Sequence, residues 1–167
     1  MAQPSPSVQT RRIVIWGKTY PELSERHRET VCTGGCTEDG LPIRIYPVPL
    51  RYLPRFNQYR LYDVIEVPVA PSTKDRRPES FKVIAPDRLK VLHRLGTERG
   101  WMERRKVIFA NPHWHYSCLE ELKARERRDK TSMGMVKVRE VVSVKLEERS
   151  DEERKRHAEK LARLRSK

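Results

Sequence analysis

Cys32, Cys36 and Cys118, together with His113 and His115, are the thiols and closely spaced imidazoles of this chain that could hold a metal. Three thiols and two imidazoles are chemically sufficient for a tetrahedral zinc. Their spacing argues against it. Cys32 and Cys36 satisfy the usual C-x2-4-C pairing, but His113 and His115 stand two apart, where H-x3-5-H is usual. Buried cysteines and loop histidines are the simpler reading, and no metal is assigned. Cys32 beside Gly34-Gly35 could be an activated thiol, yet no neighbouring base is evident. Glu121-Leu122-Lys123 has the E-x-K spacing of some metal nucleases, but it falls in an expected helix with no acidic partner just before it. There is no phosphate-binding glycine loop, zinc-protease motif or paired-cysteine array. No catalytic set and no cofactor is expected.

Binding chemistry is better represented. Residues 50–60, LRYLPRFNQYR, alternate basic and aromatic side chains: Arg51, Tyr52, Arg55, Phe56, Tyr59 and Arg60. Arginine offers paired donors to phosphate and aromatic faces accept stacked bases, the combination that single-strand binding uses. The competing reading is a loop or short helix whose aromatics anchor it to a barrel. In Ile43-Arg44-Ile45-Tyr46 the two isoleucines share one strand face and Arg44 and Tyr46 the other. That open face suits phosphate contact and stacking; alternatively Tyr46 fills a core and Arg44 pairs with a carboxylate. Arg76 and Arg77, beside Asp75 and Glu79, form either a solvated salt-bridged turn or an anion grip.

Global charge points the same way. The 167 residues carry 36 Lys and Arg against 23 Asp and Glu, a net charge of +13 with a pI near 10.0. Such an excess favours a polyanionic partner, because each phosphate contact releases condensed counterions. A membrane surface is the competing polyanion, but no apolar run approaches the ~20 residues needed to span a bilayer. The segment MAQPSPSVQT lacks the layout of a secretion signal, so a cytoplasmic location with reduced thiols is expected.

These residues must be positioned by strands. Val31–Arg51, VCTGGCTEDGLPIRIYPVPLR, reads as a central hairpin with a tight turn at Asp39-Gly40. Gly34-Gly35 allows positive φ or close backbone approach there. Ile13–Trp16, Leu61–Val67 and Phe81–Ile84 are further strands, the second ended by Pro68 and Pro71. Pro21–Arg28 reads as a polar connection and residues 1–10 as a disordered lead. Leu89, Leu92, Leu95 and Trp101 suggest an amphipathic helix between Asp87 and Arg105, followed by a strand at Lys106–Ala110. A charged helix is expected at Leu119–Lys130, with Leu119 and Leu122 toward the barrel. Met133–Arg139 and Val141–Lys145 are expected as one long or two short terminal strands, followed by a charged helical tail at 147–167.

The run Cys32-Thr33-Gly34-Gly35, the Gly40 turn, Ile43-Arg44-Ile45-Tyr46-Pro47 and the later Ser132-Met133-Gly134-Met135-Val136-Lys137 resemble the dual OB-containing group of poorly characterised prokaryotic proteins. Cys36, Pro42 and the long charged tail depart from that pattern. The resemblance implies small closed β-barrels that place oligonucleotides across a strand face. The expected fold is therefore mainly β with short helices (α+β): an OB-like barrel, in two small halves (11–71 and 72–146), plus the charged tail. The expected function is non-catalytic binding of single-stranded or structured nucleic acid, RNA ahead of DNA, through Arg44, Tyr46, Arg51, Tyr52, Arg55, Phe56, Tyr59, Arg76 and Arg77. The alternatives are an accessory subunit docking on a larger nuclease or nucleoprotein complex, and a metal-dependent nuclease.

Overall fold

A computed structural model describes residues 7–19, 22–24 and 28–165. The strands are β1 (Gln9–Lys18), β2 (Glu22–Ser24), β3 (Arg28–Thr37), β4 (Pro42–Val48), β5 (Asp63–Pro71), β6 (Ser80–Val83), β7 (Lys90–Arg94), β8 (His115–Tyr116) and β9 (Met135–Val136). The helices are α1 (Glu98–Ile108), α2 (Leu119–Asp129) and α3 (Asp151–Arg165). Five strands close on themselves in the order β1-β3-β4-β6-β5, with β5 pairing back to β1. β5 lies beside β1 in the sequence β5-β1-β3-β4, which is a Greek key. β6 completes the ring, antiparallel to β5 and parallel to β4. A closed five-strand Greek-key barrel is compatible with an OB-like fold.

The expected hairpin forms for local reasons. Gly40 takes φ +77°, which few other residues adopt cheaply, and its N–H donates to Thr37 O (2.8 Å). Of the glycine pair, Gly35 is the close approach, since a Cβ there would sit 2.5 Å from the Val14 carbonyl oxygen. Ile13, Ile15, Val31, Ile43, Ile45, Ile65, Val67 and Val69 fill the barrel interior. Leu53 and Tyr59 join them from the connection after β4. Tyr59 is 1% exposed, and its hydroxyl meets Thr33 Oγ1 at 2.5 Å inside the barrel.

A second apolar cluster lies on the opposite face of β1, β3 and β5. Val14, Cys36 and Val64 pack there with Leu95 and Trp114, bordered by Trp16, Tyr62, Val107 and Met135. Both faces of these strands are thus covered, which explains why Ile13–Trp16 is an unbroken apolar run. β6 and β7, from beyond residue 72, belong to the same sheet as β1–β5. What remains of the region expected as a second unit supplies α1, α2 and the short parallel pair β8–β9, which is laid over the barrel wall.

Several local expectations differ from the structure. β1 begins at Gln9 rather than after residue 10, while residues 1–6 lie outside the described residues. Within Pro21–Arg28, Glu22–Ser24 pairs with Arg28–Thr30; Pro21 and residues 25–27 are not described. β5 runs through Pro68 to Pro71, because β6 takes up the far side: Ile84 N–H donates to Pro68 O (3.0 Å). The helix expected across 87–105 is replaced by β7, where the unpaired edge of β5 captures Lys90–Arg94. The helix α1 starts only at Glu98, with left-handed backbone at Arg99, Gly100 and Trp101, and it takes up Lys106–Ile108 of the strand expected at Lys106–Ala110, whose last two residues form a turn. α2 matches its expectation, although Leu119 is exposed and only Leu122 turns partly inward. Beyond Val136 the expected terminal strands are absent: Val138, Val141, Val142, Val144 and Leu146 are exposed and unpaired by any strand among the described residues. No helix among the described residues is long and apolar enough to cross a membrane.

The Tyr59–Thr33 contact is a buried polar pair in an otherwise apolar barrel. Tyr59→Phe strands the Thr33 hydroxyl and is expected to cost about 1–2 kcal/mol. Urea unfolding checks this: the midpoint should fall with the slope unchanged.

Candidate nucleic-acid interface

β4 presents the expected alternation. Ile43 and Ile45 are buried in the barrel, while Arg44 is half-buried and Tyr46 is 47% exposed on the outer face. The pairing of Arg44 with Ser80 and of Val48 with Val31 orients the strand. One end of β4 lies beside the 72–79 loop, and the other runs into the 50–60 connection. The sequence-derived contacts from both regions are therefore strung along one strand.

At the far end, Leu50–Tyr52 and Arg55–Asn57 form two 3-10 turns. They are held by their own backbone and by Gln58, whose Nε2 donates to Leu53 O (2.8 Å). This construction divides the patch. Leu53, Asn57 and Tyr59 turn inward, while Arg51, Tyr52, Arg55 and Phe56 turn outward, Phe56 to 78% exposure. Tyr59 is thereby removed from the expected contacts: its ring is core, and burial pushes its phenol above the ordinary range. Loop and anchor are both correct readings of this segment, residue by residue.

At the near end, Arg76 is exposed and Arg77 is committed. The Arg77 guanidinium grips Asp75 (Nη2–Oδ2 2.5 Å, Nε–Oδ1 2.8 Å), holding that carboxyl well below the usual carboxylate range. Ser80 Oγ also donates to Asp75 (2.7 Å). Arg44 Nη2 donates to Ser132 Oγ (3.1 Å), whose own hydroxyl and N–H donate to Glu79 Oε1 (2.7 and 2.9 Å). Arg44 and Arg77 thus help to seat the 131–133 segment on the barrel, with part of each side chain still at the surface.

The thiols and imidazoles do not converge. Cys36 is buried behind the barrel wall, Cys32 is half-buried earlier on the same strand and Cys118 is exposed ahead of α2. His115 meets Ile108 O (3.2 Å) and packs edge-on to Phe109. Among the described residues no three His, Cys, Asp or Glu side chains come together as metal ligands. Burial, reinforced by Asp39, pushes the Cys36 thiol up to about 12.

A feature outside the sequence-derived set is a cleft of about 290 Å³ at the end of the barrel where β3 turns into β4. Arg11, Pro42 and Phe81 wall it on the barrel side, Trp114, Tyr116 and Arg125 on the other. Glu79, 4% exposed, and Trp114, 2% exposed, also line it. Nothing in the local pattern around Glu79 marks it, since a Pro-Glu-Ser turn reads as solvated loop.

The fold and its surface define a basic, mainly β protein built on a closed five-strand barrel, with arginine and aromatic side chains exposed along β4 and the connection after it. By sequence the chain belongs to the family described as "Domain of unknown function (DUF8758)", whose model matches residues 9–110, from β1 through α1 and on to Ala110. No curated protein and no solved structure matches the chain.

Two measurements test the site's chemistry. Iodoacetamide with mass-spectrometric readout should label Cys118 in the native protein at neutral pH and reach Cys36 only on unfolding. Asp75, depressed in the folded state, contributes stability that is present above about pH 4 and is lost as pH falls through its folded value. Asp75→Asn should therefore lower the neutral-pH melting temperature and flatten its decline below that pH.

Proposed function

We propose that this protein binds single-stranded or structured nucleic acid, RNA in preference to DNA, along the outer face of β4 and the two 3-10 turns that follow it. The observation that carries the reading is the sorting of residues 50–60. Every basic and aromatic side chain of that segment except Tyr59 is turned to solvent, where a purely structural connection would have buried its rings. Tyr46, Tyr52 and Phe56 supply stacking faces; Arg44, Arg51, Arg55 and Arg76 supply phosphate contacts. The net charge of +13 adds long-range attraction. Strand faces of OB-like barrels are suited to such ligands, and the motifs at Cys32–Gly35 and Ile43–Pro47 support kinship with the dual OB-containing group. A cytoplasmic location belongs to the same reading.

One observation favours a second role, as an accessory subunit. Val138, Val142, Val144 and Leu146 are exposed within one segment that is neither strand nor helix, and exposed apolar side chains close in sequence are suited to a contact site. Such a role is compatible with nucleic-acid binding on β4.

Fluorescence anisotropy with labelled single strands of ribose and deoxyribose tests the main reading. Replacing Arg51 and Arg55 by alanine should weaken binding and reduce the slope of log K against log salt by about 1.4, from about 0.7 per contact. Phe56→Ala should cost about 1–3 kcal/mol with that slope unchanged. Unaltered affinity in both variants would remove the strip from consideration.

A further inference from the structure

We infer that the cleft at the β3–β4 end of the barrel is a base pocket, taking a phosphate-bearing nucleobase with an exocyclic amino group. Its shape is the first reason. At about 290 Å³ it is close to the size of small-ligand sites, and it opens at a barrel end, where such sites recur. Flat apolar groups, Phe81, Pro42 and Tyr116, line it, which suits a planar ligand.

The second reason is polar. Glu79 is 96% removed from solvent by its 4% exposure, and Ser132 engages only one of its carboxylate oxygens. The other, Oε2, has no hydrogen-bond partner, and neither has Nε1 of Trp114, another residue of the cleft lining. A buried acceptor and a buried donor left unmatched each cost stability, so both call for a ligand that supplies a donor to one and an acceptor to the other. Both atoms have almost no accessible surface, so binding has to open the lining around them; the terminal torsion of a glutamate is soft and lets Oε2 turn toward a ligand. A base carrying an amino group beside a ring nitrogen or carbonyl has that pair of functions.

Charge selects against the obvious competitor, a lysine or arginine side chain seeking Glu79. Two guanidiniums, Arg11 and Arg125, share the cleft with that one carboxylate. Arg11 lies over the Phe81 ring at 5.9 Å, and Arg125 also contacts Asp129. With Arg125 paired to Asp129, the balance is set by Arg11 in the cleft and by Arg77, which already interacts with Glu79, so an anionic group beside Arg11 is favoured over a cation. The choice of a nucleotide over another amino-bearing anion rests on the nucleic-acid reading above; the cleft and its unmatched atoms do not. The base arrives either on a free nucleotide or at the end of a strand lying along β4, since the 72–79 loop leads directly to Glu79.

The test compares ligands that differ only at one ring position: CMP with UMP and AMP with IMP, each free and as the terminal residue of a 5′-phosphorylated oligonucleotide. The readout is the indole N–H resonance of Trp114, assigned with Trp114→Phe. The amino forms should shift it and bind at least about tenfold more tightly than their carbonyl counterparts, the effect of one hydrogen bond to a charged group. Glu79→Gln, which puts an amide N–H in place of Oε2, should abolish or reverse that preference. Where Glu79→Gln does not fold, Arg11→Ala serves instead and should erase the advantage of CMP over cytidine. Shifts confined to the oligonucleotides identify the ligand as a strand terminus. An unmoved Trp114 resonance, or no amino preference, overturns the pocket. If oligonucleotides still bind through Arg51 and Arg55 in that case, only the pocket has failed; if they do not bind, both readings have.

Discussion

The barrel depends on one short parallel ladder, Arg44 with Ser80 and Ile45 with Phe81. The Greek-key path returns β5 to the side of β1, leaving β4 and β5 as open edges facing each other. Four residues of β6 fill that gap. Without them, two strand edges with unpaired N–H and C=O groups would be exposed, and the interior isoleucines and valines would meet water. The same ladder has a positional consequence. It fixes the 72–79 loop beside Arg44, and so brings Asp75, Arg77 and Glu79 to the wall on which Thr131–Met133 is seated.

The polar cluster there is tied to closure as well. Arg44 N–H donates to Glu79 O (2.7 Å), so the backbone link between β4 and the loop carries the Glu79 side chain to Ser132. From Ser132 the chain continues into β9, whose Met135 borders the outer cluster around Trp114 and Cys36. Barrel interior, polar loop and outer layer are therefore consecutive steps of one path. Exposed surface is what this packing leaves over: the β4 face with the two 3-10 turns, the basic edge strand β7, and the extended segment after Val136. Arginine-rich surface costs little to keep in water, whereas the valines of that segment bury nothing in this chain.

Much of this was legible beforehand because it is local. The Asp39-Gly40 turn, the 43–46 alternation and the charged α2 and α3 each follow from neighbours a few residues apart. The strand at Leu61–Val67 was also readable, although its continuation through Pro68 was not: a proline is tolerated where its missing donor is not needed, and only the pairing pattern says where that is. Lys90–Arg94 fits a helical stripe as well as a strand, and the free edge of β5 decided between them. Val136 pairs with Tyr116, but Val138, Val142 and Val144, placed as in a strand, have no described strand beside them.

For the candidate site the division is the same. Sequence alone determined that the chain is basic, that residues 50–60 mix arginine with aromatic rings, and that Arg44 and Tyr46 share a strand face. Tertiary structure decided which of these meet solvent. It sent Tyr59 to Thr33 inside the barrel, tied Arg77 to Asp75, gathered no three metal ligands among the described residues, and brought Glu79 and Trp114 into the lining of one cleft. The reason is physical: side-chain periodicity is set by the geometry of a single strand or turn, but burial is set by what a distant segment lays over it.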